Sequence, residues 1–148
     1  MNDLLNYICG LIWKHHLGVE LCHLKDKHFR SRYLPSEKLI IINTNWWNRS
    51  EIPFMAAHEL GHYINGDKGV MYYDHNYSYQ EHDAINRNDD VFKESQADLY
   101  SLNLIWDYAA SQGYTCEEPY EFMQQFGIPE RMTNIVAKKF KDNNDLIF

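Results

Sequence analysis

The chain has 148 residues, of which 45% are hydrophobic and 15% aromatic, and its formal net charge at pH 7 is −7. This length suits one compact domain, and the aromatic content excludes a disordered chain, which would have few such side chains to bury. The acidic balance and the scattered Lys and Arg argue against direct DNA binding, which needs a basic face, and favour a basic protein partner.

The start of the chain resembles a targeting segment only superficially. It has Asp3 in place of a basic region, and no small-residue cleavage site follows. No apolar run approaches the length that spans a bilayer. The three cysteines, Cys9, Cys22 and Cys116, are widely spaced and form no CxxC pair. We therefore expect a soluble, cytoplasmic protein with free thiols and no membrane contact.

The first third of the chain predicts one helix and a small group of strands. Apolar residues at helical spacing predict an amphipathic helix near residues 3 to 16, ended by Gly18. Partial alternation predicts a short strand at Val19 to Leu24. After a turn at Pro35–Glu37, the β-branched run at Lys38 to Asn43 is the strongest strand signal, because isoleucine favours a pleated backbone.

A second helix is predicted from Ser50, which would act as its N-cap, to about Asn65, with Gly66 as its stop. Pro53 is compatible with the first turn of this helix, where its missing amide hydrogen would have no partner anyway. The polar, tyrosine-rich segment at 67–88 is predicted to be a long loop, and loops of this length are often functional.

The last part of the chain is predicted to be helical. Asp89 or Asp90 would cap a helix that runs to about Ser111, and its residues are apolar on most sides, which is typical of a buried central helix. The tail breaks at Gly127-Ile128-Pro129 into two short helices.

The stretch "FMAAHELGHYING" carries the strongest functional signal. His58 and His62 are four residues apart and share one helix face, so their imidazoles can close on one cation. Zinc accepts histidine nitrogen, and catalytic zinc sites keep one position for water. Glu59, about 100° around the helix, suits a base that takes a proton from that water. Gly61 costs a helix about 1 kcal/mol relative to alanine, which predicts close approach by another backbone. The opposite face is apolar: Pro53, Ala56, Ala57, Leu60 and Ile64.

A third metal ligand is expected downstream. Glu94 is favoured because Asp98 follows one helical turn later in "ESQAD", where it can reach the rear nitrogen of His58 or His62 and fix its tautomer. His82 is the main rival. Further candidates lie nearby: His75, Glu81, Asp83, Asp89 and Asp90.

The order of strand "KLIIIN", helix "FMAAHELGHYINGD" and helix "ESQADLYSLNLI" resembles the ImmA/IrrE family of zinc metallopeptidases over roughly positions 38 to 112. The resemblance implies one Zn²⁺ per chain, held by His58, His62 and Glu94, with Glu59 as general base and Asp98 behind a ligand histidine. Two departures from the family pattern are the long tyrosine-rich segment and "LNLIWDY" in place of the usual "LLMP" ending.

The predicted elements and the resemblance together indicate an α+β fold. It would be a small zincin-like, minimal thermolysin-like domain with a short β-sheet, the HExxH helix, a buried Glu-bearing helix and a C-terminal helical pair. We expect a single metallopeptidase domain over 1–148, with its core at about 1–112 and a helical extension at about 115–141.

The resemblance implies a zinc endopeptidase of narrow specificity that cleaves a basic helix-turn-helix repressor of a phage or mobile element. The alternative is a non-proteolytic regulator that binds a repressor or another partner and has a structural metal site. The intact Glu59 favours the enzyme, because a structural site needs no general base. Direct nucleic-acid binding through the tail "FGIPERMTNIV" is a weaker hypothesis than two packing helices, since basic residues there are few.

An endopeptidase of this kind also needs a donor to the developing oxyanion and a place for the substrate chain. His82, Tyr73 and Tyr77 are candidate oxyanion donors, along with the other tyrosines and His75 of the same loop. The edge of the strand Leu39 to Asn43 could pair with an extended substrate. Trp46 and Trp47 would lie near the mouth of the cleft or pack in the core.

Overall fold

The protein has an α+β fold, as predicted, in a computed structural model that describes residues 2–67 and 84–143. Within these ranges one three-stranded sheet accompanies five α-helices. The helices are α1 (Asn2–Lys14), α2 (Ile52–Ile64), α3 (Ala84–Ser111), α4 (Pro119–Phe126) and α5 (Thr133–Asp142), and the strands are β1 (Gly18–Cys22), β2 (Arg32–Leu34) and β3 (Leu39–Asn43). Short 3-10 turns occupy Pro35–Glu37, Arg49–Glu51 and Glu130–Met132. None of the helices in the described ranges is both long and apolar enough to cross a bilayer.

The sheet has the order β1-β3-β2, with β1 parallel and β2 antiparallel to the central strand β3. Gly18 pairs with Leu39 on one side, and Tyr33 pairs with Ile40 on the other. The β-branched run that predicted β3 is therefore in the middle of the sheet, where a neighbouring strand covers each of its edges. The expectation that β3 offers an edge to a substrate is wrong, because both of its edges already carry a neighbouring strand.

The buried side chain of Asn43, the last residue of β3, fastens the loop between β1 and β2. Its Oδ1 accepts a hydrogen bond from the Leu24 amide at 3.3 Å, and its Nδ2 donates to the carbonyls of Asp26 at 3.0 Å and Phe29 at 2.9 Å. One amide side chain thus provides hydrogen-bond partners for three backbone groups of the loop, which has no regular secondary structure to pair them. This anchoring positions Arg30, which reaches the functional site described below.

One hydrophobic core joins the N-terminal and C-terminal parts of the described chain. Ile8 of α1, Ile40 of β3 and Leu60 of α2 are completely buried in it, and so are Phe122 of α4 and Val136 of α5. The break at Gly127-Ile128-Pro129 is where the sequence predicted it, between α4 and α5. The helical extension therefore packs on the same core as the remainder of the fold.

Two helix starts differ from the predictions. Ser50 is not the N-cap of α2: its hydroxyl donates to Asn48 Oδ1 at 2.7 Å, and a 3-10 turn precedes the helix, which begins at Ile52. Asp89 and Asp90 do not cap α3, because that helix begins at Ala84 and continues through both residues. For α2 the expected capping residue lies in a 3-10 turn that precedes the helix, and for α3 the helix begins before the expected capping residues.

The end of α1 also differs. Gly18 was expected to stop this helix, but Gly18 is the first residue of β1. The reversal occurs instead at His16, which adopts a left-handed backbone with φ 64°. This conformation is uncommon outside glycine, although histidine is among the residues enriched there.

The helix α3 buries one face, and apolar side chains also occur on its exposed face. Ala97, Leu102 and Ile105 are completely buried, whereas Phe92 is 61% and Leu99 39% exposed. The prediction of a helix buried on most sides is therefore wrong. The number of apolar residues in the helix does not show which of them face the core and which face solvent. Likewise, Ile64 was expected on the anchoring face of α2 but is largely exposed at the end of that helix.

Gly61 lies at a tight contact between α2 and α3. A Cβ atom on this glycine would lie 3.1 Å from the Ala97 carbonyl oxygen and 3.2 Å from Tyr100 Cβ. The predicted close approach by another backbone is confirmed, and the backbone is that of α3. This contact sets the distance between the two helices that carry the functional residues.

Candidate metal centre

Three side chains from α2 and α3 bring their ligand atoms within 4.8 Å of one another. His58 Nε2 lies 3.1 Å from His62 Nε2 and 3.0 Å from Glu94 Oε1, and His62 Nε2 lies 3.0 Å from Glu94 Oε2. The two histidines are almost completely buried, and Glu94 is 17% exposed. The residues that the sequence predicted as two ligands and their favoured third partner thus meet at one point.

Each histidine of this cluster is held from behind by a carboxylate. Asp98 Oδ1 lies 2.8 Å from His58 Nδ1, where the sequence placed it, and Asp67 Oδ2 lies 2.7 Å from His62 Nδ1. An ionised carboxylate only accepts hydrogen bonds, so both Nδ1 atoms carry the proton and donate it. The Nε2 lone pairs therefore point at each other and at Glu94, which is the orientation that a metal ligand needs.

The cluster attracts positive charge. Burial lowers the pKa of His58, but hydrogen bonds to Asp98 and Glu94 outweigh burial and raise this pKa to about 9. Burial raises the pKa of Glu94, but its bonds to both histidines hold that pKa far below the usual range. Converging nitrogen lone pairs and carboxylate oxygens repel one another unless a cation, either a proton or a metal ion, lies among them. Two histidines and one carboxylate are a donor set that could hold a metal ion.

Glu59 lies beside the cluster and is not one of its converging ligands. Its Oε2 is 3.8 Å from His58 Nε2, and its Oε1 accepts a hydrogen bond from the Tyr33 amide of β2 at 2.7 Å. Burial raises the pKa of Glu59, and the neighbouring His58 and His62 only partly oppose this. A buried carboxylate of raised pKa, fixed by one oxygen and offering the other to the site, is a better base than an exposed one.

Asp67 was not among the predicted site residues, although its position beside His62 follows from the way α2 ends. Gly66 has φ 75°, and the amides of Gly66 and Asp67 donate to the carbonyls of Tyr63 at 3.0 Å and His62 at 2.9 Å. These two bonds form a Schellman motif, which returns the chain over the last turn of the helix. The residue after the predicted stop glycine is therefore placed next to the second histidine, so "NGD" contained the signal.

Two arginines near the site were also missed. Arg131 donates from Nε to Asp98 Oδ2 at 3.0 Å and from a terminal nitrogen to Asp98 Oδ1 at 2.9 Å. Burial raises the pKa of Asp98, but hydrogen bonds to His58 and Arg131 outweigh burial and lower it. Arg30 approaches Glu94 Oε1 at 3.5 Å. Arg30 comes from an irregular segment and Arg131 from a short 3-10 turn, and neither segment has a periodicity that predicts which side chains reach the site.

A cavity of about 310 Å³ opens beside the cluster. Glu94 and Asp98 form one wall, and Trp46 lies at another side, with its Nε1 bonded to Glu51 Oε1 at 3.3 Å. Trp46 is thus half-buried at the cavity, and Trp47 is 57% exposed. Trp46 lines the cavity and also packs against the hydrophobic core, so it combines the two places that the sequence allowed, whereas Trp47 does not line this cavity.

Several of the predicted site residues fall outside the described part of the chain. These are the rival ligand His82, the oxyanion candidates Tyr73 and Tyr77, the neighbouring His75, Glu81 and Asp83, and the side chain of Asp89. Asp90 is buried but does not belong to the group of converging ligand atoms. Of the proposed third ligands that the structure describes, Glu94 alone meets the two histidines.

Comparison of the chain with protein-family models, with curated proteins and with solved structures finds no match. What the site can do therefore has to be derived from its own residues.

Proposed function

We propose that the protein is a zinc-dependent endopeptidase with a zincin-like fold, related to the ImmA/IrrE metallopeptidases. The observation that carries this proposal is the convergence of His58, His62 and Glu94, with Glu59 beside them and free of the ligand set. A structural zinc site is usually closed by four protein ligands, whereas three ligands and an adjacent base are the composition of a hydrolytic site.

His58 and His62 would bind one Zn²⁺ through Nε2, and Glu94 would bind it through its carboxylate. When bound, zinc supplies a Lewis acid that polarises a peptide carbonyl and makes water acidic enough to attack near neutral pH. Asp98 and Asp67 keep the two rings in the tautomer that presents Nε2. Arg131 in turn fixes both oxygens of Asp98, so the orientation of His58 depends on the C-terminal part of the chain.

Glu59 would move the protons of the reaction. As water attacks the carbonyl carbon of the scissile bond, the Glu59 carboxylate accepts one proton. It then gives this proton to the amide nitrogen, which leaves as an amine when the C–N bond breaks. The Tyr33 amide holds the other oxygen of Glu59 and so limits how the carboxylate can turn.

The proposed substrate is a protein, specifically a basic transcriptional repressor with a helix-turn-helix domain. The net charge of −7 supports a basic partner, because opposite charge speeds encounter and excludes acidic competitors. The bond between Glu59 and the Tyr33 amide also favours the alternative of a non-proteolytic regulator, in which this carboxylate serves packing rather than catalysis.

Metal analysis and cleavage of a mixed peptide library together separate these readings. We expect about one zinc per chain in the wild type, loss of zinc in Glu94→Ala, and retention of zinc with loss of cleavage in Glu59→Gln. Glu20→Gln, at an exposed position of β1, is the matched control and should change neither property. Undiminished cleavage by Glu59→Gln would refute the base assignment. Zinc that persists in Glu94→Ala and disappears in His82→Ala would transfer the third-ligand role to His82.

A further inference from the structure

We propose that a groove between the segment before α2 and the C-terminal helices binds a basic, apolar stretch of the protein partner, outside the metal centre. This groove, called the tail groove below, is lined by Trp46, Trp47 and Glu51 on one side and by Glu118, Tyr120 and Glu130 on the other. The proposal rests on the proposed function only in treating the bound protein as a substrate.

The tail groove is large enough for several side chains of a peptide. Its volume is about 1260 Å³, four times that of the cavity beside the metal centre. Ligand pockets for small molecules usually hold roughly 300–1,000 Å³, so this groove suits a chain segment better than a metabolite. Met123 and Ile128 contribute an apolar floor between the charged and aromatic rims.

The aromatic rims are unusually exposed for large side chains. Trp47 is 57% and Tyr120 67% exposed, although the protein contains a core that buries many of its other aromatics. Exposed tryptophan and tyrosine are enriched at binding surfaces, because they offer a large rigid area with one polar group. Their ring faces also attract a lysine or arginine of a partner.

The charges of the groove select a cationic occupant. Three glutamates line it, Glu51, Glu118 and Glu130, against a single arginine, Arg131, whose guanidinium is held by Asp98. Glu118 and Glu130 are exposed, and neither forms an ion pair with any residue in the described ranges. Unpaired carboxylates beside aromatic faces favour a segment that alternates basic and apolar residues, and they disfavour an acidic one.

The tail groove adjoins the cavity beside the metal centre. Trp46, Glu51 and Arg131 line both the groove and the cavity that Glu94 and Asp98 bound. A chain bound in the groove would therefore lie next to the cavity beside the ligand cluster. Because the groove and the cavity share these residues, the occupant of the groove is inferred to be part of the polypeptide on which the metal centre acts. The groove would then recognise residues away from the scissile bond.

The walls of the groove are held together by a backbone contact. Gly127, with φ 68°, ends α4 against the carbonyl of Ser50, and any Cβ there would overlap that carbonyl oxygen. The C-terminal helices are thereby fixed to the start of α2. A groove whose walls are already in place loses little conformational entropy when it is filled.

Binding of two designed peptides to the Glu59→Gln variant tests the proposal without requiring cleavage. The probes are a fluorescent 18-residue peptide of lysine and leucine and its counterpart with glutamate in place of lysine, measured by anisotropy. We expect the lysine peptide to bind and the glutamate peptide not to bind. Adding Glu118→Lys with Glu130→Lys should weaken binding about tenfold or more, and Trp47→Ala about fivefold.

The matched control is Glu20→Lys with Glu37→Lys, which makes the same charge change at two exposed positions outside the groove. Equal binding by this control and by the double variant would overturn the proposal, and so would equal binding of the two peptides. If the double lysine variant fails to fold, Glu118→Gln with Glu130→Gln makes the same test, with an expected weakening of about threefold. A concentration-dependent dimer that the groove variants abolish would show instead that the groove binds a second copy of this chain.

The outcomes for the groove and for the proposed function are distinguishable. If the groove variants weaken peptide binding but the wild type cleaves nothing, the tail-groove proposal is supported and the endopeptidase is refuted. If cleavage depends on Glu59, and the groove variants change neither peptide binding nor the rate of cleavage, the endopeptidase is supported and the tail groove is refuted.

Discussion

Raising the pH of the metal-free protein should destabilise it, and the reason lies in the ligand cluster. Without a metal, the carboxylates around His58 hold a proton on that ring and raise its pKa from 6.5 to about 9. A group whose pKa is higher in the folded state contributes its full stability below the unfolded pKa and loses it as the pH rises through the folded pKa. The loss should therefore occur between about pH 6.5 and pH 9.

The magnitude follows from the difference between these two pKa values. At about 1.4 kcal/mol for each pH unit, the His58 difference corresponds to about 3 to 4 kcal/mol of unfolding free energy. The pKa of His62 is also raised, which has the same sign. Glu94 and Asp98 have lowered pKa values, so their contribution is complete below this window and does not change within it. For a domain of ordinary stability, such a loss is a large fraction of the total.

Urea unfolding followed by tryptophan fluorescence, with a chelator present, measures this dependence directly. The zinc-loaded protein is the control, because a metal ion in place of the proton removes the titration and should abolish the loss. A metal-free protein whose unfolding free energy stays constant or increases across the window would refute the reasoning. It would mean that the histidines are neutral in the folded state and that the cluster does not attract a cation.

Three substitutions give further expected outcomes. Gly127→Ala should cost about 2 kcal/mol or more in urea unfolding, because it adds steric overlap to a left-handed backbone; Gly113→Ala, at φ 76° in open space, should cost only about 1 kcal/mol. Asp67→Ala should weaken zinc binding about 10- to 100-fold in a chelator competition, while Asp107→Ala on the exposed face of α3 should leave it unchanged. Arg131→Met should weaken zinc binding severalfold and Arg131→Lys less, since lysine keeps the charge but not the paired hydrogen bonds; equal affinities would remove this arginine from the support of the site.

The parts of the fold that the sequence predicted are those with a local cause. The isoleucine run predicted β3 within one residue, and the spacing of His58, Glu59 and His62 predicted a helix that presents them to one side. Gly61 predicted a close backbone contact because glycine in mid-helix needs a reason. In each case the signal lies within a few residues of its consequence.

The contacts that the sequence did not predict join distant segments. Arg131 reaches Asp98 across 33 positions, and Arg30 reaches Glu94 across 64 positions. Arg131 lies in a short 3-10 turn, and Arg30 lies in irregular backbone, where side-chain direction depends on how the loop is held. The loop that carries Arg30 is held by hydrogen bonds from the buried side chain of Asn43. These bonds join distant positions, so the sequence alone does not predict them.

The glycine between the two histidines shows why helix and site impose different requirements. Gly61 lies within one turn of His58 and His62, and Ala97, which it faces, lies between Glu94 and Asp98. This tight contact between α2 and α3 therefore lies beside the ligand cluster. A methyl group at Gly61 would meet the α3 backbone at 3.1–3.2 Å, so α3 would have to withdraw and take Glu94 with it. Alanine would favour the helix by about 1 kcal/mol, and yet it would separate the ligands. The glycine is therefore a requirement of the site, which the helix alone would not explain.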